Sequence, residues 1–203
     1  MPLRKPPRNL GQIDLETAMV SPARLVRLSR YSLGEPHFGR SAGHRFDDRS
    51  RPMAARFGAC YCGFDLTTAI AETLLHDAVP VKGKFFVPYV DFANRFQVRF
   101  PAPTDALVLV TVTDIHAKRL GVDGAISTET PYQTTQLWAM ALQRHPQKVD
   151  GMLYMSRHLN KRQAVVIFDR AKRKLGRAVY KPLPMVAGVL KAISTLRISF
   201  DYP

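Results

Sequence analysis

The segment VDGMLYMSRHLNKRQAVVIFD, residues 149–169, contains two apolar runs separated by a polar turn. The runs GMLYM and QAVVIF have the length and the β-branched or large apolar side chains of buried strands. The first run ends in Ser156, Arg157 and His158, which are unusual residues with which to finish a buried strand. The segment therefore predicts two buried strands joined by a turn, with polar side chains at the end of the first.

Outside this segment, strand and helix patterns follow one another without regular alternation. Strand patterns cover residues 24–31 (RLVRLSRY), 56–64 (RFGACYCGF), 84–92 (KFFVPYVDF) and 106–112 (ALVLVTV). Helical patterns cover 66–77, capped by Thr67 or Thr68, then the end of 127–145, capped by Thr134 or Thr135, and 184–196, with Pro184 in the first turn. The pattern indicates a mixed α+β domain and argues against a doubly wound sheet.

Length and composition predict one main domain. A chain of 203 residues with 46% hydrophobic residues can bury one core, which we place at residues 21–203. Residues 1–20, rich in proline and basic groups, are expected to form a loosely attached basic arm. No apolar run reaches the roughly 18 residues of a membrane span, and no secretion signal begins the chain, so we expect a cytoplasmic protein without a membrane partner.

The charge balance points to a partner that is at least partly acidic. The net charge is +14 and the pI is about 10.2, with cationic residues concentrated in 157–163 and 169–181. Nucleic acid, phosphates and an acidic protein are all compatible with this charge. Aromatic residues are too sparse around these runs for a nucleotide-stacking platform.

Three polar residues interrupt apolar patterns and are candidates for a functional site. Arg27 lies within LVRLS, Glu72 lies among alanines and leucines of a predicted helix, and Ser156 closes the strand GMLYM. Buried charges are normally paired or functional, so the three together are a stronger signal than each alone. Cys60 and Cys62, taken with two distant histidines, match no metal-ligand spacing, and we predict no metal site.

Five motifs together resemble the RES domain, a family called after its arginine, glutamate and serine. In chain order they are LVRLS (25–29), GHRFDD (43–48), ACYCGFDLTTAIAE (59–72), PYQTTQLWAMAL (131–142) and VDGMLYMSRHLNKRQAVVIF (149–168). The resemblance runs from about residue 22 to 170. It implies a diphtheria-toxin-like ADP-ribosyltransferase fold, with a split β-sheet core and flanking helices.

The resemblance also implies an activity and partners. RES proteins are typically toxins that degrade NAD+ as a substrate, without a further cofactor, and are neutralised by an antitoxin that carries an Xre-type DNA-binding domain. By this resemblance the chain is an NAD+ glycohydrolase or phosphorylase that assembles with such an antitoxin. Two other functions stay open: an ADP-ribosyltransferase that modifies a protein, and a basic nucleic-acid-binding module with an inactive pocket.

The same resemblance assigns roles to particular residues. Arg27, with Arg24 and Arg30 as alternatives, would be the family arginine, Glu72 its glutamate and Ser156 its serine. Arg45 and Tyr61 would complete the pocket.

These roles agree with the chemistry of NAD+. Arg27 and Arg45 suit the pyrophosphate, and Glu72 suits the positive charge that develops on the ribose as nicotinamide leaves. Tyr61 could stack on the nicotinamide ring, and Ser156 offers a hydroxyl to the ribose or the amide. Arg157 and His158 would begin the rim of the pocket. Glu129, in STETP, is the rival to Glu72 as the catalytic acid.

Overall fold

The computed structural model describes residues 2–201. Residue 1 of the predicted arm and residues 202–203 of the predicted domain lie outside the described residues. The described strands are β1 (Thr17–Val20), β2 (Arg27–Ser29), β3 (Ala59–Gly63), β4 (Phe85–Pro88), β5 (Phe96–Arg99), β6 (Leu107–Thr111), β7 (Gly151–Met155), β8 (Gln163–Phe168), β9 (Val179–Pro182) and β10 (Ile198–Asp201). The described α-helices are α1 (Leu66–Thr73), α2 (Tyr89–Ala93), α3 (Asp114–Arg119), α4 (Ala125–Thr128), α5 (Gln133–Gln143) and α6 (Val189–Leu196).

The two strands that the sequence places in residues 149–169 form the middle of the main sheet. This sheet has the order β1-β6-β7-β8-β3, in which β6 and β7 are parallel and the other pairs are antiparallel. β7 and β8 pair with Gly151 opposite Ile167. A Cβ atom on Gly151 would lie 2.0 Å from the carbonyl oxygen of Val166, so the close approach of the two strands requires glycine at this position.

Both faces of the main sheet are covered at β7 and β8, which explains why these two central strands are almost continuously apolar. On one face, Met152 of β7 and Phe168 of β8 belong to a core that includes Trp138 of α5. On the other face, Leu153 and Ile167 pack in a core shared with a second sheet. The second sheet is antiparallel, with the order β2-β5-β9. The fold is thus α+β with a split sheet, as the sequence predicts.

A third, smaller layer lies beside α1. β10 and β4 form a two-stranded parallel pair. The buried face of α1, including Ala69 and Ile70, packs in one core cluster with Val189 and Ala192 of α6. A backbone bridge between Val26 and Gly63 joins the start of β2 to the end of β3, just before α1. The end of β3, the second sheet and α1 therefore meet at one place, where the candidate site lies.

Several predicted element limits are corrected by the structure. The segment 84–92 is not one strand, because the chain turns into α2 after Pro88. α1 ends at Thr73, and its N-cap is Asp65, whose side chain accepts a hydrogen bond from the backbone N–H of Thr68. α5 has no side-chain cap. The predicted helix at 184–196 is divided, because Gly188 takes a left-handed conformation with φ of 81° before α6 begins.

The N-terminal arm is not loosely attached, which corrects the expectation from its composition. Leu3, Leu10 and Leu15 are buried in the main core, and β1 pairs with β6 at the edge of the main sheet. The indole N–H of Trp138 donates a 2.7 Å hydrogen bond to the carbonyl oxygen of Arg4. Apolar residues spaced through a proline-rich segment therefore anchor it. The division into an arm at 1–20 and a domain at 21–203 stays a prediction.

Within residues 2–201, none of the helices combines the length and the apolar character needed to span a bilayer.

Candidate active site

A cavity of about 670 Å³ opens where β2, β3 and α1 meet. Its lining comes from these elements, from the long loop between β2 and β3, and from the turn after β7. The predicted site residues Arg27, Arg45, Tyr61 and Glu72 all line it. These four residues are 11 to 45 positions apart along the chain and share one cavity, whose volume is in the range of ligand sites.

Glu72 lines this cavity and is hydrogen-bonded to the buried Ser156. α1 begins at the cap Asp65 and buries the face that contains Ala69 and Ile70, which leaves Glu72 in the last turn facing the cavity. The hydroxyl of Ser156, at the end of β7, donates a 2.5 Å hydrogen bond to Oε1 of Glu72. Ser156 Oγ also accepts a 3.2 Å hydrogen bond from the backbone N–H of Leu159.

The burial of Ser156 bears on its role. Its side chain is fully buried, and it is not among the residues that line the cavity. Ser156 therefore lies behind Glu72, where its hydroxyl fixes one carboxylate oxygen and the other is left for a ligand. Its predicted contact with the ribose or the amide of a substrate stays a prediction.

Arg27 is fixed by an ion pair inside the cavity. Its Nε donates to both carboxylate oxygens of Glu35, at 3.0 and 2.9 Å, and its Nη1 donates to the carbonyl oxygen of Tyr61 at 3.1 Å. Burial acts to lower the pKa of Arg27, but the electrostatic effects of Cys60 and Glu35 outweigh it and raise the pKa above its ordinary value. Arg27 is therefore permanently charged and oriented.

The alternatives to Arg27 occupy different positions. The guanidinium carbon of Arg24 lies 5.3 Å from the centre of the Phe64 ring, and Arg24 does not line this cavity. Arg30 does line it but is exposed. Among the three arginines, only Arg27 is both at the cavity and held by an acidic partner.

Arg45 is a buried cation with incomplete hydrogen bonding. Its Nη1 donates 2.7 Å to the carbonyl oxygen of Glu129, and its guanidinium carbon lies 4.7 Å from the ring centre of Tyr132. Its Nη2 is buried and has no hydrogen-bond partner within residues 2–201. Burial lowers the pKa of Arg45, and Tyr132 opposes that effect. An unsatisfied guanidinium nitrogen in a cavity is suited to bind an anionic ligand.

The rival acid Glu129 faces elsewhere. One of its carboxylate oxygens accepts a 2.5 Å hydrogen bond from the backbone N–H of Leu3, and Glu129 does not line the cavity. Its contribution to the site is its backbone carbonyl, which orients Arg45. The geometry therefore favours Glu72 over Glu129 as the acid of the cavity.

Tyr61 uses its hydroxyl to brace the loop that carries Arg45. The hydroxyl donates 2.9 Å to Oδ1 of Asp47 and accepts a 3.0 Å hydrogen bond from the backbone N–H of Phe46. Burial and the negative charge of Asp47 raise the pKa of Tyr61, so the phenol stays neutral. The edge of the His44 ring packs against Tyr61 at a centroid distance of 5.8 Å. Only the ring of Tyr61 is left for a ligand.

The structure adds site residues that sequence reasoning did not assign. Glu35, which pairs with Arg27, lies in the loop between β2 and β3. In the sequence, no neighbouring motif distinguishes Glu35 from an ordinary loop glutamate. His76, four residues after Glu72 in the turn that follows α1, lies 5.6 Å from His158 between ring centres. In the predicted helix at 66–77, the spacing of four residues from Glu72 could have identified His76. Burial lowers the pKa of His158, whose Nε2 is buried and unpartnered within residues 2–201.

No metal-binding cluster of three or more histidine, cysteine or acidic side chains occurs within the described residues. Cys60 and Cys62 are free and buried. The ionisable groups that line the cavity are carboxylates, guanidinium groups, phenols and imidazoles, together with the thiol of Cys62.

Comparisons with known proteins point to one family. The model of the RES domain matches residues 22–188, most of the chain. Among solved structures, the fold is similar to a chain in the crystal structure of the M. tuberculosis MbcT–MbcA toxin–antitoxin complex, with a TM-score of 0.53, 10% identity and coverage of 90% of each chain. At this identity the similarity concerns the fold alone. No curated protein matches the chain.

Proposed function

The chain belongs to the RES domain family, and on that basis we propose that it is an enzyme that cleaves the bond between nicotinamide and ribose in NAD+. The observation that carries the proposal is the Glu72 carboxylate, held at 2.5 Å by the buried hydroxyl of Ser156 in a cavity that also contains Arg27 and Arg45. Family membership is the basis for proposing NAD+ as the substrate. The cavity contains arginines that suit the pyrophosphate of NAD+ and a carboxylate that suits its cationic nicotinamide end.

The reaction needs negative potential at the ribose. When the bond from C1′ of the ribose to the pyridinium nitrogen breaks, its electron pair goes to the nitrogen, nicotinamide leaves neutral, and positive charge develops on the ribose ring. The free oxygen of Glu72 can stabilise that charge or hold a ribose hydroxyl. A second carboxylic acid, which ordinary glycosidases use to protonate their leaving group, is unnecessary because nicotinamide needs no proton.

Binding of the substrate falls to the arginines and Tyr61. Arg45, through its unpartnered Nη2, and Arg27, through the part of its guanidinium not used by Glu35, are proposed to bind the pyrophosphate. Each such charge-assisted hydrogen bond contributes about 1.5–3 kcal/mol. The ring of Tyr61 is proposed to wall the nicotinamide. Ser156 is proposed to act through Glu72, as a positioning residue.

The acceptor of the ribosyl group is proposed to be water or phosphate. An oxygen of the acceptor forms a new bond to C1′ as the bond to nicotinamide breaks, so that the products are nicotinamide and ADP-ribose or its phosphate. Water releases a proton in this step, whereas an anionic oxygen of phosphate has none to release. Transfer to a protein side chain is disfavoured because such transfer usually depends on a second glutamate near the catalytic one, and Glu129 is bound to the backbone of Leu3 instead.

A toxin role and a partner follow from the family. We propose that the chain is a toxin controlled by an antitoxin, because the similar fold from M. tuberculosis belongs to a toxin–antitoxin complex. The cognate antitoxin is proposed to carry an Xre-type DNA-binding domain, and the enzyme is proposed to act on NAD+ in the cytoplasm.

The test is release of nicotinamide from NAD+ by the purified protein, followed by liquid chromatography. Glu72→Gln should lower the rate by about 100-fold or more, the scale of losing one electrostatic stabiliser of a transition state. Glu129→Gln is the matched control and should retain the wild-type rate. No release by the wild-type protein, or loss of activity in Glu129→Gln alone, would refute the proposal.

Two further measurements separate the other functions. Labelled protein in a cell lysate supplied with tagged NAD+ would identify a protein ADP-ribosyltransferase. Salt-dependent binding of DNA or RNA without turnover of NAD+ would identify a nucleic-acid-binding module.

A further inference from the structure

A pair of arginines, Arg30 and Arg95, lies where the second sheet borders the cavity. β2 and β5 are antiparallel, and their last pair is Ser29 opposite Phe96. Arg30 follows Ser29 and Arg95 precedes Phe96, so the two arginines meet one step beyond this pair, and both line the cavity. Like charges facing each other across two strands are destabilising unless something compensates them.

Arg95 is a buried cation whose side chain has no hydrogen-bond or ion-pair partner among residues 2–201. Its residue is 8% exposed, and its Nε is buried with no hydrogen-bond partner within residues 2–201. Burial and the charge of Arg30 both lower the pKa of Arg95, and the carboxylate of Asp91 opposes them without forming an ion pair. The backbone of Arg95 is fixed, because its carbonyl oxygen accepts a 2.8 Å hydrogen bond from the N–H of Leu183. The segment that carries Arg95 is therefore held in place and cannot shift to relieve the burial of the charge.

Two other cavity arginines, Arg27 and Arg45, have side-chain partners of a kind that Arg95 lacks within residues 2–201. Arg27 has the carboxylate of Glu35, and Arg45 has the carbonyl oxygen of Glu129 and the ring of Tyr132. A buried guanidinium that lacks such partners carries a desolvation penalty, which a bound anion would relieve.

We propose that Arg95 and Arg30 form a subsite for a phosphate group, in addition to the pyrophosphate that Arg27 and Arg45 are proposed to bind. Two guanidinium groups that follow facing strand residues and line the same cavity carry the charge to neutralise a phosphate dianion, and the planar fork of a guanidinium group fits phosphate oxygens. The nature of the phosphate rests on the proposed function. It is either the 2′-phosphate of a phosphorylated dinucleotide or an inorganic phosphate that serves as the acceptor.

The test is isothermal titration of the inactive Glu72→Gln protein with three ligands: NAD+, NADP+ and inorganic phosphate. Arg95→Gln is added to this background, and Arg49→Gln, an exposed arginine outside the cavity, is the control with the same change of charge. Arg95→Gln should weaken binding of one phosphate ligand about tenfold or more, the factor expected for one charge-assisted hydrogen bond. Arg49→Gln should leave all three affinities unchanged.

The ligands distinguish the two sources of phosphate. If the subsite holds a 2′-phosphate, Arg95→Gln weakens NADP+ selectively and leaves NAD+ unchanged. If it holds the acceptor, inorganic phosphate is weakened selectively. Arg30→Gln, a change at an exposed position that keeps Arg95 in place, should produce a smaller loss for the same ligand and guards against misfolding of the Arg95 variant.

Three results would overturn the subsite. The first is unchanged affinities in Arg95→Gln, and the second is an equal loss of affinity in Arg49→Gln. The third is an equal loss of affinity for NAD+ and NADP+ with inorganic phosphate unaffected, because this result would place the pyrophosphate at Arg95. Failure of the proposed function is a different result: the wild-type protein would release no nicotinamide, whereas binding of phosphate that depends on Arg95 would persist.

Discussion

Replacing Ser156 by alanine tests whether this residue acts through Glu72 or on the substrate. The hydroxyl is fully buried, donates 2.5 Å to Glu72 and does not line the cavity. Its loss would remove one hydrogen bond to a charged group, worth about 1.5–3 kcal/mol. If the carboxylate must be held for the transition state and not for binding, kcat falls by about 10- to 150-fold. KM should change little, since Ser156 does not line the cavity in which the ligand is proposed to bind.

The assay is steady-state release of nicotinamide over a range of NAD+ concentrations. Ser127→Ala is the control, because Ser127 is also buried but lies in α4, outside the cavity. Thermal unfolding of both variants shows whether the lost acceptor for the N–H of Leu159 has affected the fold. An increase in KM at unchanged kcat would show that Ser156 contacts the substrate, and full activity of Ser156→Ala would refute the positioning role.

Three further changes test the packing and the charges of the site. Glu35→Gln removes the charge that balances Arg27, and should lower the free energy of unfolding, measured with urea, by about 1–3 kcal/mol; an unchanged unfolding midpoint would contradict this. Burial lowers the pKa of His158 in the folded protein. As pH falls through about 6.5, the unfolded chain therefore binds a proton at His158 before the folded protein does, which lowers the stability of the folded state. Wild-type protein should therefore lose more thermal stability than His158→Gln between pH 7.5 and 5.5, and parallel losses would disprove it. Gly151→Ala places a Cβ against a backbone oxygen and should destabilise the protein by about 3 kcal/mol or more, whereas Gly124→Ala, in open space, should be neutral in the same urea titration.

The sequence predicts most strongly what depends on local pattern. β7 and β8 are found where their apolar runs indicate, because a strand buried on both faces must be continuously apolar. The sequence does not predict the shorter strands β1, β5, β9 and β10, because a strand of four residues with at most one buried position has no distinctive periodicity.

The site was predictable only in part, for a similar reason. Arg27 and Glu72 stand out as charges within apolar patterns, so their placement at one cavity could be anticipated from the sequence. The contributions of Glu35 and Arg95 to the site could not be anticipated, because both are polar residues in segments where polar residues are common. Only the three-dimensional structure shows that Glu35 neutralises Arg27 and that Arg95 has no counterion in the described part of the chain.

The distribution of unpaired positive charge favours a ligand cavity over a nucleic-acid surface. A nucleic-acid-binding face keeps its cations exposed, where they can release counterions from phosphates. In this chain the basic run at 169–181 is partly used within the protein, since Lys174 bridges to Asp150 at 2.8 Å. The arginines with unsatisfied buried nitrogens are Arg45 and Arg95, within residues 2–201, and both line the same cavity as Glu72. Keeping such groups buried opposes folding, and the proposed ligand, which has an anionic part and a cationic end, would account for both the buried arginines and the carboxylate in the same cavity.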